Sequence, residues 1–161
     1  MNYKTLLLFF VPFLFLGFGN PEPPAILNFP EFEKQYLHRN SDTLYIVNFW
    51  ATWCSPCVKE LPCFEKVNEK YKSQKVKVLL VSLDFEKDYK SVLIPFLKKK
   101  AIHSEVVVLN DHNENEWIDK VNPSWSGAIP ATLVYNKDSR DFYEKSFRCE
   151  ELDSIVKLKT Q

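Results

Sequence analysis

The chain alternates between two patterns of apolar and polar positions, one typical of strands and one typical of helices. Residues 44–50 (LYIVNFW) are apolar except for Asn48, which predicts a strand that is buried on both faces. In residues 55–73 apolar side chains return at helical spacing and predict one apolar stripe. The alternation of strand and helix patterns continues to residue 109, and this order indicates parallel βαβ units.

The same patterns predict five strands and five helices in total. Strands are expected at 44–50, 75–83, 105–109, 132–135 and 142–147. Helices are expected at 31–40, 55–73, 89–100, 114–121 and 150–159. The last two strands are joined by a tight turn and must be antiparallel. The predicted fold is therefore α/β, with a mixed central sheet and helices on both faces.

Two helices carry more specific expectations. Pro62 lies inside helix 55–73 and should kink it, because proline lacks a backbone donor and clashes with the preceding turn. Helix 89–100 should turn its apolar side inward. That side consists of Val92, Leu93, Phe96 and Leu97.

The N-terminus has the pattern of a secretory signal. Lys4 supplies a positive charge, residues 6–18 are apolar apart from Pro12 and Gly17, and Gly17-Phe18-Gly19 offers a small-x-small cleavage site. We expect a signal peptide at 1–19 and one domain at 20–161, entered through a Pro-rich extended segment at 20–30. An uncleaved N-terminal anchor remains the alternative reading, and it is the only membrane contact that the sequence suggests.

Composition narrows the classes of partner. The chain has 21 basic and 21 acidic residues and no net charge, so nothing favours nucleic acid or an anionic membrane surface. With 45% hydrophobic residues it can build an ordinary core. A secreted domain also lies where disulfides persist, so disulfide chemistry is open to its four cysteines.

The segment Cys54-Ser55-Pro56-Cys57 follows directly after the predicted strand 44–50 and opens a predicted helix. The N-terminus of a helix has unpaired N–H groups and a partial positive charge, and both stabilise a thiolate. The thiolate is the nucleophile of disulfide exchange, so this position favours a reactive Cys54. A spacing of two residues lets Cys57 attack a mixed disulfide formed by Cys54.

Other roles for the cysteines are conceivable. Four cysteines in a secreted chain can form two structural bridges, but Cys54 and Cys57 are too close to staple a long loop. A zinc site needs about four ligands, and no second Cys-x-x-Cys or His pair accompanies this one, so neither metal nor cofactor is expected. Cys63 and Cys149 are expected to be free and buried, while a structural disulfide between them remains open.

Two segments resemble a known family. Residues 49–62 (FWATWCSPCVKELP) resemble the active-site segment of TlpA/ResA-type thioredoxin-like proteins, including a proline eight residues after Cys54. Residues 127–132 (GAIPAT) resemble the cis-proline loop of that family. The resemblance covers most of residues 26–160 and implies a thioredoxin-like fold with a redox-active Cys54–Cys57 disulfide.

The resemblance also implies roles for individual residues. Cys54 would be the attacking thiol and the more exposed of the pair, and Cys57 the resolving thiol. A cis bond before Pro130 would present the backbone of Ile129 to an extended substrate chain. The expected docking surface also includes three residues beside the thiols. These are Trp53, Ser55 and Pro56.

Glu60 and Asn48 concern proton transfer. Glu60 lies one helical turn after Cys57, so its carboxylate could take the proton of Cys57, and burial would raise its pKa. Thioredoxins proper carry a buried acid six residues before the first cysteine, where this chain has the neutral Asn48. That acid's role cannot be carried over, which supports the TlpA/ResA resemblance and shifts acid–base work toward Glu60.

The expected function is an extracytoplasmic, periplasmic thiol–disulfide oxidoreductase that reduces disulfides in exported proteins. Ser55-Pro56 lacks the histidine of strong oxidants, which favours a reductant. The resemblance implies a membrane-embedded thiol electron donor and a narrow set of substrates such as apocytochrome c. The alternatives are an oxidant or isomerase, a thiol peroxidase (disfavoured because Ala51 replaces the usual Thr) and a metal-binding module.

Overall fold

A computed structural model describes residues 23–111 and 113–160. It contains one six-stranded sheet in the order β1-β4-β3-β2-β5-β6. The strands are β1 (Ala25–Leu27), β2 (Leu44–Trp50), β3 (Val76–Ser82), β4 (Glu105–Leu109), β5 (Ala131–Tyr135) and β6 (Arg140–Tyr143). The α-helices are α1 (Phe29–Tyr36), α2 (Ser55–Lys70), α3 (Ile94–Lys99), α4 (Glu114–Val121) and α5 (Cys149–Lys159).

The sheet is mixed, as the sequence predicted. The four strands β1, β4, β3 and β2 run parallel to one another, because helices carry the chain back between successive parallel strands. β5 pairs antiparallel with β2, and β6 pairs antiparallel with β5 through a tight turn. The carboxyl end of the central strand β2 thus lies in the middle of the sheet, directly before the two thiols.

Strand β2 is buried along its whole length because it has a partner on each side and helices on each face. Its side chains alternate between the two faces. Tyr45, Val47 and Phe49 pack with α1 and α4. Ile46 and Trp50 pack with α2 and α5 on the other face. Asn48 has the same parity as Ile46 and Trp50, so it is directed to the α2 side of the sheet.

Most predicted elements are confirmed within a few residues, and three coincide with the observed bounds: β2, β4 and α4. Helix α1 begins earlier than predicted, because Asn28 and Glu31 form a capping box in which each side chain accepts from the other's backbone N–H. Pro62 lies inside α2, and the kink expected there stays a prediction.

Two predictions about the elements were wrong, and one strand was missed. The Pro-rich lead-in contains strand β1, which gains its backbone partners only by pairing with the distant β4. The predicted helix 89–100 begins as one π-helical turn (Tyr89–Leu93), and Val92 is 42% exposed instead of buried in the core. The final strand ends at Tyr143 instead of continuing to residue 147.

The predicted signal peptide at 1–19 lies outside the described residues. Within residues 23–111 and 113–160, no helix is both long and apolar enough to cross a bilayer.

Candidate active site

The two thiols of the Cys-x-x-Cys segment form a disulfide at the start of α2. Cys54 is the N-cap residue of this helix, and its Sγ accepts a hydrogen bond from the backbone N–H of Cys57 at 3.3 Å. Cys54 is 6% exposed and Cys57 is fully buried, so the order of exposure is the one predicted. A thiolate at Cys54 would lie at the positive end of the helix dipole, which stabilises a negative charge.

The cis-proline loop lies against Cys54. The Ile129–Pro130 peptide bond is cis, as the resemblance implied. The carbonyl oxygen of Ile129 is 3.8 Å from Cys54 Sγ. A disulfide sulfur has no proton, so this is a contact in the oxidised state, and a reduced Cys54 thiol could donate along the same line.

The segment before the cis-proline loop is anchored in the hydrophobic core. The indole Nε1 of Trp125 donates to the carbonyl of Ala128 at 2.8 Å, and the Trp125 ring is buried against Phe49 of β2. Gly127 has a φ of +91°, a conformation that favours glycine, and an added Cβ would lie 3.1 Å from Ile118 Cδ1. These contacts anchor the segment that leads to Ile129 on the α1 and α4 face of the sheet.

Glu60 lies one helical turn after Cys57 on α2 and is buried, with only 2% of its surface exposed. Its Oε1 accepts from Asn48 Nδ2 at 3.0 Å, and its Oε2 accepts from the backbone N–H of Phe147 at 2.6 Å. Burial raises the pKa of Glu60 to about 7, while the two hydrogen bonds act in the opposite direction and stabilise the charged form. Glu60 can thus exchange a proton near neutral pH.

Asn48 has a role that sequence reasoning missed. Its Nδ2 donates both to Glu60 and to Thr132 Oγ1, each at 3.0 Å, and ties α2 and β5 to the central strand. Within the described residues, its Oδ1 is buried and has no hydrogen-bond partner. The alternation of side chains along β2, which directs Asn48 to the α2 side, was visible in the sequence. The contact with Glu60 was not, because it depends on how α2 packs against the sheet.

Asp84 is a second residue that sequence reasoning missed. It follows β3, is 3% exposed, and accepts from Ser82 Oγ at 2.7 Å. Its carboxylate also accepts from the backbone N–H of Thr52, at 3.1 and 3.2 Å, and from the Thr52 hydroxyl. Because Thr52 lies two residues before Cys54, Asp84 anchors the loop that delivers the thiols to the helix.

Cys63 and Cys149 form a second disulfide between α2 and the start of α5, with their Cα atoms 4.7 Å apart. The expectation that both are free was wrong, and the alternative left open by the sequence is the one observed. Cys63 lies on the buried side of α2, and the fold brings the end of a distant connection against it. Sequence spacing could not reveal this contact, because the two residues are 86 positions apart.

The residues predicted to dock substrate surround the thiols on the outside. Trp53 is 62% exposed, and Ser55 and Pro56 at the first turn of α2 are exposed as well. Trp50, three residues before Trp53, is fully buried. The structure thus brings together an exposed aromatic surface, the redox disulfide and a buried acid within one loop and one helix.

No cluster of three or more His, Cys, Asp or Glu side chains suited to a metal ion occurs in residues 23–111 and 113–160. The buried carboxylates of Glu60 and Asp84 instead accept hydrogen bonds from Asn48 and Thr52.

The fold and the position of the Cys-x-x-Cys pair define a thioredoxin-like protein. The sequence profile of the AhpC/TSA family matches residues 19–140, and the chain belongs to this family. Relatives named as thiol–disulfide oxidoreductases support the narrower resemblance to TlpA/ResA-type proteins.

Two of these relatives are Bacillus proteins. The chain is 30% identical over 123 residues to the thiol-disulfide oxidoreductase ResA of Bacillus cereus, a match that covers 76% of this chain and 65% of the relative. It is 29% identical over 89 residues to the sporulation thiol-disulfide oxidoreductase A of Bacillus subtilis, covering 55% and 54%. The chain thus spans about half the length of several curated relatives that it matches.

Solved structures share the fold. A thioredoxin-related protein from Neisseria meningitidis serogroup B is 26% identical, with a TM-score of 0.63 over 78% of this chain and 88% of that one. StoA from Bacillus subtilis is 23% identical, with a TM-score of 0.57 over 73% and 83%, and shows likeness of fold alone.

Proposed function

We propose that this protein is a thiol–disulfide oxidoreductase that acts outside the cytoplasm and reduces disulfides in exported proteins. The observation that carries the proposal is the Cys54–Cys57 disulfide at the N-terminus of α2, next to the cis-proline loop. The names of the relatives point to the same class of reaction. The predicted signal peptide at 1–19 supports the location, and an uncleaved leader would tether the domain at 20–161 to the membrane.

The reaction would proceed in two exchanges. The Cys54 thiolate attacks one sulfur of the substrate disulfide, which forms a mixed disulfide and releases the other substrate sulfur as a thiolate. Cys57 loses its proton and attacks Cys54 Sγ, which forms the Cys54–Cys57 disulfide and releases the second substrate sulfur. The substrate gains two electrons and two protons, and the Cys pair loses the same number.

Glu60 is proposed to accept the proton of Cys57. It follows Cys57 by three residues on α2, one helical turn, so both side chains project from the same side of the helix. Its pKa of about 7 matches a group that must take up and release a proton near neutral pH. The burial of Cys57 makes such a group necessary, because water has little access to its sulfur.

Substrate docking is proposed to use the surface around Cys54. Trp53, Ser55 and Pro56 offer exposed apolar and polar contacts beside the attacking sulfur. The backbone of Ile129, set by Pro130, offers an edge to which an extended substrate chain can add by strand-like hydrogen bonds. The carbonyl of Ile129 lies 3.8 Å from Cys54 Sγ, so a chain bound there would bring its own sulfur close to the nucleophile.

The direction of electron flow is proposed to be reductive. Ser55-Pro56 places no cation between the thiols, and a less stabilised thiolate gives a more reducing pair, nearer the ~ −270 mV of thioredoxin than the ~ −120 mV of DsbA. A reductant in an oxidising compartment needs a supply of electrons. We therefore propose a membrane-embedded thiol donor and, as substrate type, a disulfide in a protein such as apocytochrome c.

The redox equilibrium of the Cys54–Cys57 pair tests this direction. The full chain is equilibrated with defined thiol/disulfide buffers, and each cysteine pair is quantified separately by alkylation and mass spectrometry. A potential below about −250 mV supports the reductant, and one above about −180 mV assigns an oxidant or isomerase instead. The Cys57→Ser variant should trap a mixed disulfide with a peptide disulfide, while Cys54→Ser should not.

Two further assays separate the alternatives to this activity. Consumption of a hydroperoxide by the reduced chain at a rate that exceeds disulfide exchange would assign a thiol peroxidase. Stoichiometric metal retained by the reduced protein, with no exchange activity, would assign a metal-binding module. Turnover of a protein disulfide with neither of these results supports the proposed oxidoreductase.

A further inference from the structure

The second disulfide lies one helical turn beyond the buried acid of the site. Cys63 follows Glu60 by three residues on α2, so the two side chains share one side of the helix. Its partner Cys149 begins α5 and follows Phe147 by two residues. The same two segments are therefore joined twice, by the Cys63–Cys149 bond and by the hydrogen bond from Phe147 N–H to Glu60 Oε2.

We propose that the Cys63–Cys149 disulfide is a positioning element for Glu60, because it holds the backbone N–H of Phe147 against the Glu60 carboxylate. The inference rests on the proposed role of Glu60 in thiol–disulfide exchange and adds a new function to a bond that otherwise only stabilises the fold. The oxidation state of Cys63 and Cys149 would then affect how readily Cys57 transfers its proton to Glu60.

The segment that carries Phe147 needs such a restraint. Residues 144–148 connect β6 to α5 without regular structure, and Arg148 at the N-cap of α5 makes no side-chain capping bond. The polar contacts of its neighbours are exposed: Lys145 pairs with Glu151, and Glu144 accepts from Ser126. Exposed contacts of this kind restrain a chain weakly.

Packing of the Phe147 ring supplies a different kind of restraint. The ring is buried and lies edge-on to Tyr143, with ring centroids 5.3 Å apart. Hydrophobic contact is non-directional, so it holds the side chain in the core without fixing where the backbone N–H points. A covalent bond two residues further along fixes the path of the backbone, and a hydrogen bond of 2.6 Å requires that precision.

The electrostatic consequence follows from the surroundings of Glu60. Its carboxylate is buried, and its charged form is stabilised by two donors, Asn48 Nδ2 and Phe147 N–H. If the segment moves away, Asn48 remains as a donor and the charged form becomes less favourable. Glu60 would then keep its proton to higher pH, and acceptance of the proton from Cys57 would also need higher pH.

The test compares the two states of this disulfide in a chain without the active-site pair. The full-length Cys54→Ser/Cys57→Ser variant retains only Cys63 and Cys149, and a dithiol reagent can supply the two electrons and two protons that reduce them. The titration of Glu60 is followed by NMR of its side-chain carboxyl carbon in both states. The amide proton of Phe147 is followed in the same samples.

On reduction of the disulfide, the titration of Glu60 should move to higher pH. The chemical shift of the Phe147 amide proton should then no longer change as Glu60 titrates. An unchanged titration in a folded, reduced protein would overturn the proposal. Loss of the native spectrum on reduction would also overturn it, since the bond would then hold the whole fold rather than position one carboxylate.

A matched control addresses general loosening of the contact between α2 and α5. Asp153 on α5 binds Lys70 Nζ on α2 at 2.6 and 2.7 Å, away from Glu60, and also accepts from the Tyr71 hydroxyl. The Asp153→Asn variant weakens this contact but keeps the disulfide. Its Glu60 titration should remain where it is in the parent, and an equal shift would assign the effect to helix packing.

A second variant links the bond to exchange itself. In Cys63→Ala/Cys149→Ala, the pH at which Cys57 resolves a mixed disulfide at half its maximal rate should rise. In a Glu60→Gln background the same double substitution should leave the profile unchanged, because the acid through which it acts is absent. A shift that persists in that background would overturn the proposal. The NMR titration needs no turnover, so failure of the proposed function and failure of this inference remain distinguishable.

Discussion

Asn48 Nδ2 donates a hydrogen bond of 3.0 Å to Glu60 Oε1 and so joins the central strand to the active-site helix. The contact places a neutral donor, rather than a second acid, beside a buried carboxylate. A neutral donor stabilises the charged form of Glu60 without adding a like charge that would oppose it. Burial raises the pKa of Glu60 to about 7, and the hydrogen bonds from Phe147 N–H and, to a smaller extent, from Asn48 oppose that rise.

The raised pKa of Glu60 predicts how stability depends on pH. The pKa is about 7 in the folded protein against a reference value of 4.5, so between these values the folded state binds more protons than the unfolded state. Stability must then fall as pH rises from about 4.5 to about 7 and level off above that. Over this pH range the unfolding free energy should decrease by about 3 kcal/mol.

Denaturant unfolding of Glu60→Gln between pH 4.5 and 8 checks this prediction. The variant should lack most of that pH dependence, so the difference between wild type and variant should change by about 3 kcal/mol over the range. Glu69→Gln, an exposed position on the same helix, should keep the wild-type profile. Parallel profiles for wild type and Glu60→Gln would show that Glu60 titrates normally.

The second disulfide should be the main covalent contribution to stability. Cys63 and Cys149 close a loop of 86 residues, whereas Cys54 and Cys57 are separated by three. Because the entropy lost by the unfolded chain grows with loop length, Cys63→Ala/Cys149→Ala should lower the unfolding free energy by about 2–5 kcal/mol. Cys54→Ala/Cys57→Ala should lower it much less. Comparable losses in urea denaturation would contradict this assignment.

Local patterns in the sequence were enough to predict the fold class and the position of the redox-active cysteines. The apolar run 44–50 predicted strand β2 with its observed bounds, and the thiols lie where this strand meets α2. The resemblance of residues 127–132 also predicted the cis bond before Pro130 correctly. Each of these features depends on neighbouring residues, which is why the sequence carries a signal for it.

The features that were missed or left open depend on residues that are distant in the chain. The bond from Phe147 to Glu60 spans 87 positions, and the Cys63–Cys149 disulfide spans 86. Strand β1 has three residues and is defined only by its pairing with β4. Contacts of this kind arise from the packing of whole elements, and one sequence contains no periodicity that reveals them.

Asp84 should control the loop that presents the thiols. Its buried carboxylate accepts from the N–H and hydroxyl of Thr52, so Asp84→Asn replaces an acceptor with an amide whose NH₂ group faces donors. We expect a loss of about 1–3 kcal/mol in unfolding free energy. Reduced Cys54 should also react more slowly with a small disulfide, because the helix N-terminus is less firmly placed.

Stopped-flow kinetics with a chromogenic disulfide, together with thermal unfolding, checks both expectations for Asp84→Asn. Asp119→Asn removes an exposed carboxylate on α4 and should change neither quantity. If Asp84→Asn lowers stability but leaves the rate unchanged, the Thr52 contact serves the fold and not the site.

Trp53 should contribute to binding of protein substrates and little to the fold. Its ring is 62% exposed and adjoins Cys54, so Trp53→Ala should change the unfolding free energy by less than about 0.5 kcal/mol. Loss of an aromatic docking contact worth about 1.4 kcal/mol would raise the KM for a peptide disulfide by about tenfold. The rate with a small-molecule disulfide should stay within about threefold of wild type, because such a substrate spans only the sulfur atoms.

Leu158→Ala on α5, which removes a side chain with 73% exposure, is the matched control and should alter neither reaction. Equal losses of activity toward both substrates in Trp53→Ala would instead place Trp53 in the chemistry of the thiols, as a shield of the disulfide.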